Sequence, residues 1–330
     1  MSRRRPGRGA AAVATVAAVA AVTAALLGWP AGPGPVSHAA FGRPSASARL
    51  IARARHAARR AAAPCNPEAS LRPAGPPAVT PGSFMAKIRA RGYLIAGVDQ
   101  NAYHFGYLNP FNGQIQGFDI DILHAMAAAI FGNPNKIRFI AISDGQRSPD
   151  VASGKVDIVA YTMTVTCARW KDVDFSTVYF DAGQKVLVPI NSTAKGLADL
   201  GGKKVCATKT STSLTTISTA DPGMSPRPVA VPVTYWTDCL VRLQQGDVAA
   251  ISTDDSILAG LEAQDPFTKI VGPSLADEPY GLAISKLHPD FVRFVNAVLA
   301  QMHSNGQWAA SYARWIGTPV PAPPPARYSG

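Results

Sequence analysis

Residues 153–176 read SGKVDIVAYTMTVTCARWKDVDFS. The apolar run Val156 to Tyr161 predicts a buried strand. Beyond it Thr162 and Thr164 offer hydroxyls and free backbone N–H groups. Arg169 then adds a guanidinium that forks onto a carboxylate with two parallel hydrogen bonds. A strand that ends in hydroxyls and one planar cation is a site for a small anion. Its neighbours on either side decide what kind of chain carries it.

Between residues 82 and 317 strands and helices alternate in the α/β manner. A short helix (Phe84 to Arg91) leads to the strand Tyr93 to Val98. Phe118 to Phe131 is a helix whose Phe118, Ile122, Met126 and Ile130 recur at i, i+4, with Asp119 and Asp121 suited to its first turn. Strands follow at Ile137 to Ile142 and Val156 to Tyr161, then an extended run from Gln184 to Pro189. A second unit has strands at Lys204 to Ala207, Val229 to Val233 and Val248 to Thr253, with helices after the Thr/Ser-rich turn and at Trp236 to Gln245. Pro279 to Ser285 is extended again, and Pro289 to Trp315 is helical, returning apolar side chains to the first unit. Two extended crossings between two α/β units make a hinge. The boundaries expected are 82–186 with 278–317 for lobe 1 and 187–277 for lobe 2.

The formal charge of +11 is carried by the N-terminus. Residues 1–80 hold 11 Lys/Arg against the single acid Glu68, and the other 250 residues hold 21 Lys/Arg against 20 Asp/Glu. The folded part is near neutral, which argues against nucleic-acid binding. Arg3, Arg4, Arg5 and Arg8 precede an apolar run from Ala10 to Trp29, and small residues at Ser37 and Ala39 suit signal peptidase. Residues 1–39 are therefore expected to be a signal peptide, with an uncut signal anchor tethering an extracytoplasmic chain as the alternative. Residues 40–81, rich in Ala, Arg and Pro, read as a linker, and the Pro-rich 318–330 as a disordered tail.

Cysteines stand at 65, 167, 206 and 239. An even count in an exported chain favours two disulfides, and neither a Cys-x-x-Cys nor a paired-His spacing argues for a metal. Three pairings are available. Cys206 with Cys239, which fall in one predicted lobe, is favoured, leaving Cys65 with Cys167.

Six segments in this order carry a resemblance: LIAGVD (94–99), GQIQGFDIDI (113–122), residues 153–176, LADLGGKKVCATKTSTS (197–213), LQQGDVAAISTDDSILAG (243–260) and EPYGLAIS (278–285). Together they resemble the extracellular solute-binding proteins of family 3, which serve polar amino-acid ABC importers, and most of all the actinobacterial members described as glutamine- or glutamate-binding. The resemblance implies a two-lobe type II periplasmic-binding-protein fold, no cofactor, a monomer, and an ABC permease or a membrane sensor protein as partner. It implies that Arg169 clamps an α-carboxylate beside Thr162 and Thr164, and that Asp254 takes the α-ammonium. Thr208, Ser211, Thr212 and Ser213 would lie on an anion-facing turn, in which Thr210 stands where the family usually has Gly. Arg147 matches an arginine that reads a distal carboxylate, which points to glutamate, aspartate or their amides. Phe105 would wall the cleft, and Trp236 would touch ligand.

Each residue has a plainer reading. Arg169 could pair with Asp172, Arg147 with Asp150, and Asp254 or Asp255 could be a helix N-cap. Trp236 could be core. A dehydratase-like enzyme on the same fold would need a carboxyl poised in the cleft, for which Glu278 is the candidate. No enzyme is expected.

Overall fold

The computed structural model describes residues 65–219 and 225–329. The expected signal peptide and most of the linker lie outside them. Among the described residues no helix is long and apolar enough to cross a membrane.

The chain enters through strand β1 (Ala69–Leu71) and helix α1 (Phe84–Arg91), which Ser83 caps by accepting from the Ala86 N–H and Gly92 ends in a left-handed turn. Strand β2 (Leu94–Val98) leads to a small antiparallel sheet of β3 (Asn101–Ala102), β4 (Gly106–Leu108) and β5 (Ile115–Gln116). Sequence periodicity cannot register strands this short. Helix α2 (Phe118–Phe131) follows Gly117, at φ 139°, where a Cβ would sit 2.0 Å from the Phe105 carbonyl oxygen. Only glycine fits that approach.

Strand β6 (Ile137–Ala141), helix α3 (Arg147–Ala152), β7 (Ile158–Ala160) and β8 (Asp174–Phe175) complete the first pass. Pro149 lies in the first turn of α3, where a missing N–H leaves no bond unmade. The long strand β9 (Phe180–Pro189) then crosses to the second lobe. There β10 (Lys204–Thr208), α4 (Thr212–Ser218), β11 (Val229–Val233), α5 (Trp236–Gln244), β12 (Ala250–Asp254), α6 (Asp255–Gln264) and β13 (Thr268–Val271) build a sheet of order β11-β10-β12-β9-β13. Strand β14 (Asp277–Tyr280) pairs antiparallel with β9 on the way back, and β15 (Ala283–Ile284) enters the first sheet, whose order is β6-β2-β7-β15-β8.

The helical stretch expected over Pro289 to Trp315 is present as two helices, α7 (Pro289–Ser304) and α8 (Gln307–Trp315). Gly306, at φ 81°, breaks it. The reversal buries Trp308, whose Nε1 donates to the Tyr179 carbonyl at 2.9 Å. The last strand, β16 (Arg327–Ser329), corrects two expectations. It pairs parallel with β1, residue 69 opposite 327, so neither the end of the linker nor the tail is unstructured. The reason is long-range: Asn296 on α7 donates to the Ser70 hydroxyl at 2.8 Å and the Leu71 carbonyl at 2.7 Å, and Ser70 donates to the Phe175 carbonyl. Residues 69–71 and 327–329 thus find backbone partners that their own composition does not supply.

Each lobe has its own apolar core, with Phe118, Met126, Phe291 and Trp308 in the first and Val186, Leu187, Ile251 and Leu258 in the second. The disulfides are Cys65–Cys167 and Cys206–Cys239.

Candidate functional site

In both lobes the candidate residues leave the carboxyl ends of parallel strands, where open α/β sheets place their ligands. β7 ends in Thr162 and Thr164, β2 in Asp99, and β6 runs out to Asp144. In the second lobe β10 ends at Thr208, β11 precedes Trp236, and β12 ends at Asp254.

The lobes touch here. Arg169 Nη1 donates to the Thr164 carbonyl at 2.6 Å, and Nη2 reaches across to the Thr210 carbonyl at 3.4 Å. Thr210 adopts φ 64°, the conformation for which glycine is suited. Tyr103 of the first lobe packs on Gly260 of the second, where a Cβ would meet its carbonyl oxygen at 2.7 Å. Glu278, 2% exposed on β14, accepts from the Thr164 hydroxyl and, at 2.8 Å, from the Thr212 hydroxyl, so one carboxylate bridges both lobes.

Asp254 lies 3% exposed at the N-cap position of α6 but makes no capping bond. Its carboxylate accepts from the Tyr280 hydroxyl at 2.6 Å. Burial first, then the Glu278 charge, raises its pKa well above the ordinary value, against the pull of Tyr280, Arg169 and Arg147. Burial likewise raises Glu278, against its two threonine donors and the two arginines. Arg169 is drawn down to about 10 by burial and by the charge of Arg147, so it stays protonated at neutral pH.

Several expectations need correction. Asp255 does not cap α6; its carboxylate accepts from the Gly183 N–H at 3.2 Å and faces Lys185 at 3.8 Å, holding the crossing strand. The Ser211 hydroxyl is occupied as the N-cap of α4, accepting from the Leu214 N–H at 3.0 Å and donating to the Thr208 carbonyl at 2.8 Å. Phe105 sits in the lobe 1 core, edge-on to Phe118, Phe180 and Tyr280. Arg147 does not pair with Asp150. It lies 2.5 Å from Asp144, over the Tyr161 ring, while Asp150 pairs with Lys155 at 2.8 Å.

Four polar atoms at these strand ends are buried with no hydrogen-bond partner among the described residues: Asp99 Oδ2, Asp144 Oδ2, Thr208 Oγ1 and Trp236 Nε1. Orphans of this kind are rare in finished interiors. Asp99 is pushed up to about 7 by burial, with the Asp144 charge adding and the Asn101 N–H opposing. Sequence reading passed over Asp99, although its position directly after a buried strand was a usable signal. Among the described residues no group of His, Cys, Asp and Glu could hold a metal ion.

Residues 94–318 match the family model of bacterial extracellular solute-binding proteins, family 3. The chain belongs to this family. The solute-binding protein is 36% identical over 233 residues to the ABC transporter glutamine-binding protein GlnH of Bacillus subtilis, a match spanning 70% of this chain and 84% of the relative. It is 26% identical to the glutamate-binding protein GluB of Corynebacterium glutamicum, over 68% of this chain and 78% of the relative. Among solved structures, an ancestral arginine-binding protein bound to glutamine superimposes with a TM-score of 0.64 at 33% identity, covering 69% of this chain and 99% of that one. The solute-binding protein has the type II periplasmic-binding-protein fold.

Proposed function

We propose that this protein binds a polar α-amino acid with a neutral amide side chain, glutamine foremost, by lobe closure, and delivers it outside the cytoplasm to an ABC permease. The observation that carries the reading is the pairing of Arg147 with Asp144 inside one lobe. Among the described residues Arg169 makes no salt bridge, although the charges of Asp144, Glu278 and Asp254 all act on it. A zwitterion satisfies that arrangement, with its carboxylate on Arg169 and its ammonium at Asp254, where leaving either charge unpaired is costly. A second ligand carboxylate would meet Asp144 and Glu278 with the Arg147 guanidinium already paired.

An amide instead brings N–H donors for the unpartnered Asp99 oxygen and a carbonyl for a donor such as Trp236 Nε1. The likeness to a glutamine-binding relative supports the same choice. Three or four charge-assisted bonds at roughly 1.5–3 kcal/mol each, less the cost of closure, are consistent with micromolar affinity, about −8 kcal/mol.

The test is calorimetric titration and thermal shift with glutamine, asparagine, glutamate, aspartate and arginine. Glutamine should stabilise most. Preferential binding of glutamate or aspartate sinks the amide assignment, and no binding by any of the five sinks the whole reading.

A further inference from the structure

Thr162 adopts φ 41°, a left-handed backbone that crowds a β-branched residue. What holds it there comes from another element. The Thr162 N–H donates to Asp119 Oδ2 at 3.0 Å, across 43 residues, and the Tyr179 hydroxyl donates to the other oxygen, Oδ1, at 2.7 Å. Asp119 is 1% exposed in the first turn of α2, and its own N–H already bonds the Phe105 carbonyl. The far side of the Thr162–Val165 loop is fixed separately by backbone bonds from Gly281 to Met163 and from Val165 to Pro279. The near end rests on one side-chain acceptor.

We propose that Asp119 is a positioning residue for the ligand loop: it holds Thr162 left-handed, which sets where Thr164 presents its hydroxyl and its carbonyl to Glu278 and Arg169. This rests on the reading that residues 162–169 bind the amino acid. Without the acceptor, Thr162 relaxes to an extended backbone and carries the start of the loop away from the Arg169 anchor. The helix-dipole role open to any first-turn acid would stabilise α2 equally well and leave the loop untouched.

Three variants separate these roles. D119N keeps a carbonyl oxygen for the Thr162 N–H, because the Tyr179 hydroxyl can turn round to accept from the amide. D119L fills the volume but accepts nothing. T162G takes the left-handed backbone without strain. Titrated with L-glutamine, D119N should stay within about threefold of wild type, and D119L should lose about tenfold or more. In the T162G background the same D119L change should cost at least threefold less.

Equal losses in both backgrounds, or no loss in D119L, overturn the proposal. Hydrogen exchange at the residue 162 amide, measured without ligand, should be slow in wild type and D119N and fast in D119L. That readout needs no ligand: if wild type binds no amino acid the functional reading fails, while uniformly slow exchange in D119L overturns the positioning role itself.

Discussion

Arg147 lies 2.5 Å from Asp144 with both side chains buried, and among the described residues the second Asp144 oxygen has no partner. On the proposed reading this ion pair selects against acidic ligands, because a guanidinium neutralised in its own lobe has little left for a distal carboxylate.

Asp144→Asn should therefore free Arg147 and shift preference toward glutamate. Relative affinity for glutamate over glutamine should rise about fivefold or more, equivalent to about 1 kcal/mol. Paired titrations of wild type and variant check it. An unchanged ratio means that Arg147 does not face the ligand side chain.

Arg169→Ala should abolish ligand-induced stabilisation in a melting experiment. The lost contact is a charge-assisted, two-pronged one, and truncation leaves the bound carboxylate buried against Glu278 and Asp254. A loss of about 3 kcal/mol, more than a hundredfold in affinity, is expected from leaving a buried charge unpaired. Lys at this position should recover only part of it, since an ammonium lacks the fork.

Stability should depend on pH through Asp99 and Asp119, both held up to about 7 by burial. Each keeps its proton in the folded chain to about pH 7 and loses it near the ordinary 3.8 when unfolded. Over that window the folded state binds more protons, so their contribution makes stability fall as pH rises, by up to about 1.4 kcal/mol per unit per group, and level off above 7. His104, His288 and His303, whose pKa values burial lowers, act in the opposite sense. The readout is therefore the difference between wild type and D119N in urea midpoints from pH 5 to 8. The gap should move steadily in favour of D119N up to pH 7 and then hold; a gap that does not move contradicts it.

The two disulfides should differ in access. Cys65 is exposed, whereas Cys206 and Cys239 are fully buried. A mild thiol reductant without denaturant should open Cys65–Cys167 first, so that alkylation and mass spectrometry find label on those two cysteines alone. The C65S/C167S variant should lose about 2–4 kcal/mol of stability. It should also weaken ligand binding severalfold, because Cys167 stands two residues before Arg169 and the tie left there among the described residues is Trp170 Nε1 donating to the Pro67 carbonyl.

The alternation of strands and helices was legible because each element has a strong local period, as in Phe118, Ile122, Met126 and Ile130 of α2. The loop Thr162–Arg169 was legible because hydroxyls and a guanidinium cluster within eight residues. The partner of Arg147 was not: Asp144 and Asp150 stand three residues before and after it, and only the capture of Asp150 by Lys155 breaks the tie. Glu278 was visible only as a lone acid. Its role as a bridge depends on Thr164, 114 residues away, and Thr212, 66 residues away.

By itself the sequence determined two α/β units, two crossings between them and a short segment carrying hydroxyls and a cation, because periodicity and residue chemistry are local properties. The tertiary structure alone decided which charges neutralise one another, which polar atoms stay unpartnered at the cleft, and that residues 69–71 pair with 327–329 as strands. Those outcomes depend on burial and on distances between residues far apart in the chain, and no local pattern encodes either.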